Sequence, residues 1–307
     1  MTSIATSGSS VASLQPSAAG LVTFPRVLAA LALAAVAAAI TSNAWLDLVQ
    51  ISMVDEESSH VWLVPLVFVW LFWVRRHRLA RCRPQGQWVG VACLAVGWFL
   101  WSFGYRYQYQ SLWHGGAVVL VVGAALSILG RDLLLRFFPA FASLVFLIPV
   151  PGRARLHLAE PLQRATALAT QSVAEVIGIP IERFGSLLTV NGQEVAIAEA
   201  CNGMRMVFTL FLACYLFAFV TPLRTWVRVL IIVLTPLVAI ICNIIRLVPT
   251  VWMYGQGSDE AASAFHDISG WVMLVLAFLM LKSSVEVLRW AGVPVEPEPE
   301  TARGATP

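Results

Sequence analysis

Eight apolar runs of 14 to 28 residues recur along the chain, and they constrain its fold more than any other feature. A helix needs about 20 apolar residues to cross the hydrocarbon core of a bilayer, and about 17 at the shortest. The runs are 22–41, 61–74, 87–104, 112–129, 137–150, 203–221, 225–252 and 267–288. We therefore expect an all-α polytopic membrane protein with about eight transmembrane helices, or seven because two of the runs are short.

The distribution of basic residues predicts the orientation of these helices. If the N-terminus is cytoplasmic, 13 of the 20 basic residues fall on the cytoplasmic side. The short opposite loops 53–60 and 254–266 contain acidic residues but no Lys or Arg. The positive-inside rule then places both termini in the cytoplasm. The sequence contains no basic cluster with interleaved aromatic residues, which is the pattern that nucleic-acid binding would need.

One long segment, 151–200, lies on the outer side in this orientation. Apolar positions at helical spacing over 158–177 predict an amphipathic helix on the membrane surface, starting near residue 160 so that Pro161 falls in its first turn. Asn191-Gly192 between two β-like runs predicts a short hairpin that leads to the next apolar run.

The remaining segments are terminal tails. Residues 1–20 are rich in Ser, Ala and Gly, and residues 294–307 are rich in Pro and Glu. Such compositions do not bury enough apolar surface to fold, so we predict disorder in both. The predicted membrane domain is therefore 21–293.

Cys201 has the surroundings of a reactive thiol. It directly precedes the run 203–221, and Glu199, Asn202 and Arg205 flank it. The unpaired N–H groups at a helix N-terminus favour the thiolate over the thiol. We therefore predict that Cys201 is a catalytic nucleophile close to the outer membrane surface, with these three neighbours supporting it.

The other four cysteines lack such surroundings. Cys93, Cys214 and Cys242 lie inside apolar runs, where a free cysteine is usually buried and inert. Cys82 lies in an Arg-rich loop, and nothing around it indicates catalysis. The odd number and the scattered spacing predict no disulfide framework, and no Cys/His metal spacing is present. We expect no metal and no organic cofactor.

Arg246 lies inside an apolar run, where a charged side chain costs about 2.5–3.5 kcal/mol and usually marks a function. The structural alternative is snorkelling to the outer headgroups. Asn243 lies three residues earlier, on the same helix face. We predict that Arg246 stabilises an oxyanion or holds a substrate carbonyl.

His266 opens the last apolar run, four residues before Gly270, and falls on the same membrane side as Cys201. An imidazole takes and returns protons near neutral pH, so we predict that His266 is the general base and acid. His60 lies on the same side and competes for this role.

In these three motifs the sequence resembles the exosortase/archaeosortase family. The family signature has a Cys in Glu-Ala-Cys-x-Gly-x-Arg, an Arg in Asn-x-x-Arg and a His in His-x-x-x-Gly. The matching residues are Glu199, Ala200, Cys201, Gly203, Arg205, Asn243, Arg246, His266 and Gly270. At position 202 this chain has Asn, where many members of the family have Ser. Because this residue is next to the nucleophile, the difference concerns the contact with the substrate or the oxyanion, and therefore the class of substrate.

The resemblance implies a cysteine transpeptidase of the bacterial cytoplasmic (inner) membrane with its active site on the periplasmic face. Its substrates would be exported proteins with a C-terminal sorting signal, which combines a short motif such as Pro-Glu-Pro, a membrane anchor and a basic tail. The resemblance also implies that this processing is associated with exopolysaccharide or with the display of proteins at the cell surface.

Two other functions are compatible with the composition. An intramembrane Arg246 beside a polar vestibule would suit an anion or small-molecule transporter, although the chain shows no internal repeat of the kind common in transporters. A non-catalytic scaffold of a polysaccharide-export complex is the other alternative. Neither explains the placement of Cys201.

Overall fold

The computed structural model describes residues 22–196 and 203–296, and helices dominate both ranges. Their order is α1 (Phe24–Ile40), α2 (Ser42–Val54), α3 (Leu63–Val74), α4 (Trp88–Tyr107), α5 (Gln110–Leu129), α6 (Arg131–Arg136), α7 (Phe138–Ser143), α8 (Gly152–Val176), α9 (Gly203–Val220), α10 (Thr225–Gly255) and α11 (Asp259–Trp290). Short 3-10 helices cover Glu56–Trp62, Arg76–Arg81 and Leu144–Leu147.

Four helices of the described ranges are long and apolar enough to cross a membrane, namely α4, α5, α10 and the part Ile268–Trp290 of α11. A fifth span results if α1 and α2, which are bent by 74° relative to each other, count as one. The structure therefore supports an integral membrane protein but does not confirm eight spans. The shorter apolar helices have 10–17 residues and cover only about 15–25 Å, against a hydrocarbon core of about 30 Å.

The bend between α1 and α2 centres on Thr41, which is completely buried. Its hydroxyl donates to the carbonyl of Ala37 (2.8 Å) and accepts from the indole N–H of Trp45 (2.9 Å). The hydroxyl therefore links the end of one helix to the start of the next. Sequence analysis missed α2, because its apolar residues are interrupted by polar ones.

Helices α4 and α5 pack backbone against backbone along glycines spaced seven residues apart. These glycines are Gly90, Gly97 and Gly104 in α4 and Gly116 and Gly123 in α5. A Cβ added at Gly116 would lie 2.2 Å from the backbone nitrogen of Trp101, and one at Gly90 would lie 2.1 Å from that of Ser127. Small residues allow this close approach of two helices within a membrane.

Gly116→Ala is therefore expected to destabilise the protein, because the new methyl group overlaps the α4 backbone. Overpacking costs about 1–3 kcal/mol, which corresponds to a fall of about 2–5 °C in the midpoint of thermal unfolding in detergent. Gly152→Ala is the matched control, since an added Cβ there meets nothing within 4 Å. Equal midpoints for the two variants would contradict the packing described.

A small antiparallel sheet precedes α9. Its strands are β1 (Glu182–Phe184), β2 (Leu187–Val190) and β3 (Gln193–Ala196), in that spatial order. Asn191 (φ 52°) and Gly192 (φ 81°) form the turn between β2 and β3, and both positive φ values match the turn that Asn-Gly favours. The side-chain amide of Asn191 donates to the carbonyl of Gly255 (3.0 Å).

The sheet and α8 together cover one end of α10. Buried side chains of the three elements form one apolar cluster. They are Ala167, Ala174, Ile181, Leu188, Val190, Leu247 and Val251. The sheet is therefore anchored at the end of α10 that carries Arg246.

Two boundaries differ from the sequence prediction. Helix α8 begins at Gly152 rather than near residue 160, so Pro161 lies inside it. Pro161 is exposed, which leaves room to solvate the carbonyl that loses its partner. At the C-terminus, Val295 of the predicted tail is buried in the core and accepts a backbone hydrogen bond from Arg224 (2.8 Å). Residues 297–307 of that tail and residues 1–20 lie outside the described ranges.

A buried arginine lies at the opposite end of α9. Arg75 donates to the carbonyl of Phe219 (2.5 Å), in the last turn of that helix. A positive charge is favourable there because of the helix dipole. The Arg-rich loop 75–83 thus lies at the end of the molecule away from the sheet, in agreement with the charge asymmetry of the sequence.

Candidate functional site

Three helix termini meet at the sheet end of the molecule: the start of α9, the end of α10 and the start of α11. The connections 221–224 and 256–258 are short, so successive helices run antiparallel. Leu210, Cys242 and Met273, one from each helix, belong to a common buried cluster. Residues near these termini are therefore brought together by packing.

The predicted nucleophile lies outside the described residues, as do Glu199 and Asn202. Gly203, two positions after Cys201, is the first residue of α9. Arg205 lies in the first turn of that helix. The roles of these residues remain predictions.

Arg246 is buried in the bundle, with 5% of its surface exposed. Its Nη2 donates to Oδ1 of Asn243 (3.3 Å), a side chain that is 9% exposed. The helix continues past Arg246, whose carbonyl accepts from the hydroxyl of Thr250 (2.8 Å). The guanidinium is thus held inside the protein and does not snorkel to the membrane surface.

The guanidinium of Arg246 reaches α11 at Gly270. A Cβ at Gly270 would lie 3.7 Å from Nη1 of Arg246, so this helix face adjoins the arginine. His266 is one turn earlier on the same face. We expected His266 to open the last helix, but α11 begins at Asp259, two turns before it. The acidic first turn favours a helix start there and extends the helix beyond the apolar run.

His60 adjoins α9 from another direction. It lies in the 3-10 helix Glu56–Trp62, is 9% exposed, and stacks on the ring of Phe208 with centroids 4.9 Å apart and planes inclined by 21°. Phe208 lies in the second turn of α9. His60 is therefore close to the start of α9 and remains a candidate base beside His266.

Helix α9 contributes to two different apolar clusters. On one face, Leu210 and Cys214 pack in the cluster that contains residues of α10 and α11. On another face, Leu212 packs in a different cluster with Val61 and Val64, next to His60. Polar residues therefore flank the beginning of α9 on two sides.

A cavity of about 510 Å³ opens on the His60 side of α9, and we call it the His60 cavity. Apolar side chains of α2, α9 and the turn 148–152 form most of its wall. Its polar side chains are Asp55, Ser58, His60, Gln110 and Ser111. Ser58 donates to the Asp55 carboxylate (3.0 Å). Among the lining residues that the structure describes, none is Lys or Arg.

A pair formed by a buried histidine and a partly exposed aspartate lies next to this cavity and was not predicted from the sequence. Nε2 of His114, in α5, lies 3.0 Å from Oδ2 of Asp47, in α2, and its Nδ1 lies 2.7 Å from the carbonyl of Gln110. Neither atom of the 3.0 Å contact has a hydrogen-bond partner among the described residues, so the contact is an electrostatic one. Asp47, an isolated acidic residue between apolar segments, was the available signal. The pair ties α2 to α5 and fixes one wall of the cavity.

The cysteines of the described ranges are poor nucleophiles. Cys82, Cys214 and Cys242 are buried, and Cys93 is partly buried within α4. Burial raises the pKa of the Cys82 thiol, although Arg136 opposes this effect. These surroundings agree with the expectation that none of the four is catalytic.

Comparison with known proteins identifies one family. A family model described as transmembrane exosortase matches residues 45–283, which are most of the chain. No curated protein and no solved structure matches the chain. The matched region includes α9, α10, most of α11 and the walls of the His60 cavity.

Proposed function

Because the chain belongs to the transmembrane exosortase family, we propose that it is a membrane cysteine transpeptidase that cleaves C-terminal sorting signals of exported proteins and transfers them to an acceptor. The observation that carries this proposal is the buried guanidinium of Arg246, which lies against α11 one turn from His266. A fixed positive charge inside the bundle, nine residues before the last residue of α10, is suited to acyl transfer.

Cys201 is the proposed nucleophile. Two peptide units separate it from Gly203, so its Cα lies within about 8 Å of the first residue of α9. Its thiolate attacks the scissile carbonyl carbon and forms a C–S bond. The C–N bond then breaks and leaves a thioester, while the leaving amine takes a proton from the general acid.

Arg246 is the proposed electrostatic stabiliser of the oxyanion. Asn243 fixes the guanidinium, and burial excludes the water that would screen its charge. Arginine remains charged at any physiological pH and offers several N–H donors. Removing one preorganised donor of this kind typically costs about 100- to 1,000-fold in rate.

His266 is the proposed general acid and base, since it lies one turn before Gly270, the residue of α11 that adjoins the arginine. His60 is the second candidate, from the opposite side of α9. Arg205 would hold the thiolate, Glu199 would orient an arginine, and Asn202 would contact the substrate near the oxyanion.

The proposed substrates are exported proteins with a Pro-Glu-Pro-type or related motif followed by a membrane anchor. Large apolar side chains are exposed along α11, for example Trp271 (73%) and Val275 (61%), so this helix offers a lipid-facing route for an anchor helix. The proposed location is the bacterial inner membrane, with cytoplasmic termini and a periplasmic site. The proposed role of the processing is in exopolysaccharide production or in the display of proteins at the cell surface.

Co-expression with a tagged exported protein that ends in such a signal tests the function. We expect the tagged protein to shorten only when this chain is present, and the enzyme to form a covalent adduct detectable by mass spectrometry of the peptide that contains Cys201. A substrate with its anchor deleted serves as the control and should remain intact. Processing without this chain, or an adduct at another residue, would contradict the proposal.

Thiol labelling provides an independent prediction. In membranes of the wild type, we expect a membrane-impermeant maleimide to label one cysteine, because the four described cysteines are buried or lie within α4. Cys201→Ser should lower labelling to below about a tenth of the wild-type level, whereas Cys82→Ser should leave it unchanged. If the Cys201→Ser variant is labelled as strongly as the wild type, measured by mass shift, then the thiol labelled in the wild type is not Cys201.

A further inference from the structure

We propose that Arg75, Arg78 and Arg228, at the end of the molecule away from the sheet, bind the phosphate group of an anionic membrane lipid. We call these three residues the arginine cluster. The cluster lies at the opposite end of α9 from the candidate functional site, and its occupation does not depend on the proposed transpeptidase function. Its geometry, its shortage of negative partners and the exposed tryptophans beside it carry the proposal.

Phe219, in the last turn of α9, is the centre of the arginine cluster. The guanidinium carbon of Arg75 lies 6.0 Å from the centroid of the Phe219 ring, and that of Arg228 lies 5.6 Å from it. The backbone N–H of Arg78 donates to the carbonyl of Arg75 (2.8 Å). Three segments, namely the loop after α3, the end of α9 and the start of α10, therefore bring positive charges to one place.

The guanidinium of Arg75 is buried without a carboxylate partner. Its side chain donates to the backbone carbonyls of Leu71 (3.4 Å) and Phe219 (2.5 Å). No carboxylate in the described ranges forms an ion pair with a member of the arginine cluster. Burial lowers the pKa of the Arg75 guanidinium, and the charges of Arg78 and Arg228 lower that pKa further. Because buried charges are normally paired, the cluster has a need for an anion.

Arg228 has an unsatisfied donor in the same place. Its Nε is buried and has no hydrogen-bond partner in the part of the chain that the structure describes. Arg228 is also the fourth residue of α10, whose first turn contains no acidic residue. The unpaired N–H groups of a helix start favour an anion and disfavour a cation. A phosphate beside Arg228 would offset both this effect and the repulsion within the cluster.

A ligand has access to the arginine cluster from outside the bundle. The side chain of Arg78 is exposed and that of Arg228 is partly exposed, whereas Arg75 is 6% exposed and forms the base of the site. Guanidinium groups bind phosphate oxygens through pairs of parallel N–H donors and remain charged at any physiological pH. The cluster therefore has the chemistry of a phosphate site.

Exposed tryptophans indicate that a lipid carries this phosphate. Trp73, two residues before Arg75, is 59% exposed, and Trp226, two residues before Arg228, is 43% exposed. Tryptophan is enriched at the level where the hydrocarbon core meets the headgroups. Basic pockets between membrane helices bind lipid headgroups at that level. A phosphate on the arginine cluster would place the acyl chains next to these two rings.

Native mass spectrometry of the full chain in an uncharged detergent tests the site with three probes: phosphatidylglycerol, phosphatidylcholine and inorganic phosphate. We expect phosphatidylglycerol to bind at least about tenfold more tightly than either of the other two, because only it combines a net negative charge with acyl chains. Equal binding of the two lipids would overturn the proposal. Inorganic phosphate that binds as tightly as phosphatidylglycerol would show a free anion site and overturn the assignment to a lipid.

Arg228→Gln and Arg78→Gln should each lower the affinity for phosphatidylglycerol about tenfold, since each removes charged donors to the phosphate. Arg83→Gln is the matched control and should leave the affinity unchanged. Arg83 is an exposed arginine of the same loop, and its backbone N–H donates to the carboxylate of Asp132 (3.4 Å). An equal loss of affinity in all three variants would show unspecific attraction to basic residues and contradict the site. Unfolding midpoints measured without lipid show that each variant is folded.

The acidic residues of the C-terminal tail provide a further test. Nε of Arg224 donates to the carbonyl of Glu296 (2.8 Å), so the tail leaves the described ranges near the start of α10. Glu298 and Glu300 lie outside the described residues, and residues 1–21 contain no acidic residue. We expect Glu298→Gln combined with Glu300→Gln to leave the affinity for phosphatidylglycerol unchanged. A tighter binding by about tenfold would identify the tail as the partner of the arginine cluster and overturn the lipid assignment.

Discussion

Replacing Cys201 with alanine is expected to abolish processing of the sorting signal, with a rate at least about a thousandfold below that of the wild type. The variant lacks the only group proposed to form the thioester, and the remaining groups act on that intermediate rather than in place of it. Immunoblots of the tagged substrate over time, with equal amounts of enzyme in the membrane, measure the effect.

Two further variants make this result specific. Cys201→Ser should also be inactive, because a hydroxyl group is much harder to ionise than a thiol under the same conditions. Cys214→Ala removes a buried thiol of the apolar cluster around α9 and should retain processing. A transporter or a scaffold would keep its function without Cys201, so loss of substrate processing in a Cys201→Ala strain would favour the transpeptidase over both alternatives.

The sequence was sufficient for the helical, membrane-embedded character of the chain, because hydropathy follows directly from composition. The number of spans was not predictable in the same way. The run 61–74 forms α3 with only 12 residues, and the run 137–150 is divided between α7 and a 3-10 helix. Helices of this length are shorter than a usual membrane span, and hydropathy alone does not show whether such a segment crosses the bilayer.

For the candidate site, the cost of burying a charge follows from the sequence, whereas the arrangement of the residues does not. Arg246 with Asn243 followed from the cost of a charge in an apolar helix, and the structure places both in the bundle interior. The contact of Arg246 with Gly270 depends on the register of two helices, which no local pattern specifies. The His114–Asp47 pair joins residues that are 67 positions apart and was equally inaccessible.

Substitution of Arg246 is the second change with a large expected effect. Arg246→Gln removes the positive charge but keeps a polar side chain, and we expect processing to fall about 100- to 1,000-fold. Arg246→Lys keeps the charge, but its single ammonium group does not reproduce the planar donor geometry that Asn243 holds in place. We expect the lysine variant to recover only part of the activity, about tenfold above the glutamine variant.

The design must separate a catalytic effect from misfolding, because Arg246 is buried and its loss leaves Asn243 short of a partner. Thiol labelling of Cys201 provides the test, since it reports an intact and accessible nucleophile without requiring turnover. We expect Arg246→Gln to remain labelled while processing is lost, and Arg164→Gln, on the exposed side of α8, to remain active. Full processing by Arg246→Gln would show that the charge serves the structure alone, and the oxyanion would then have to be stabilised by backbone N–H groups at the start of α9.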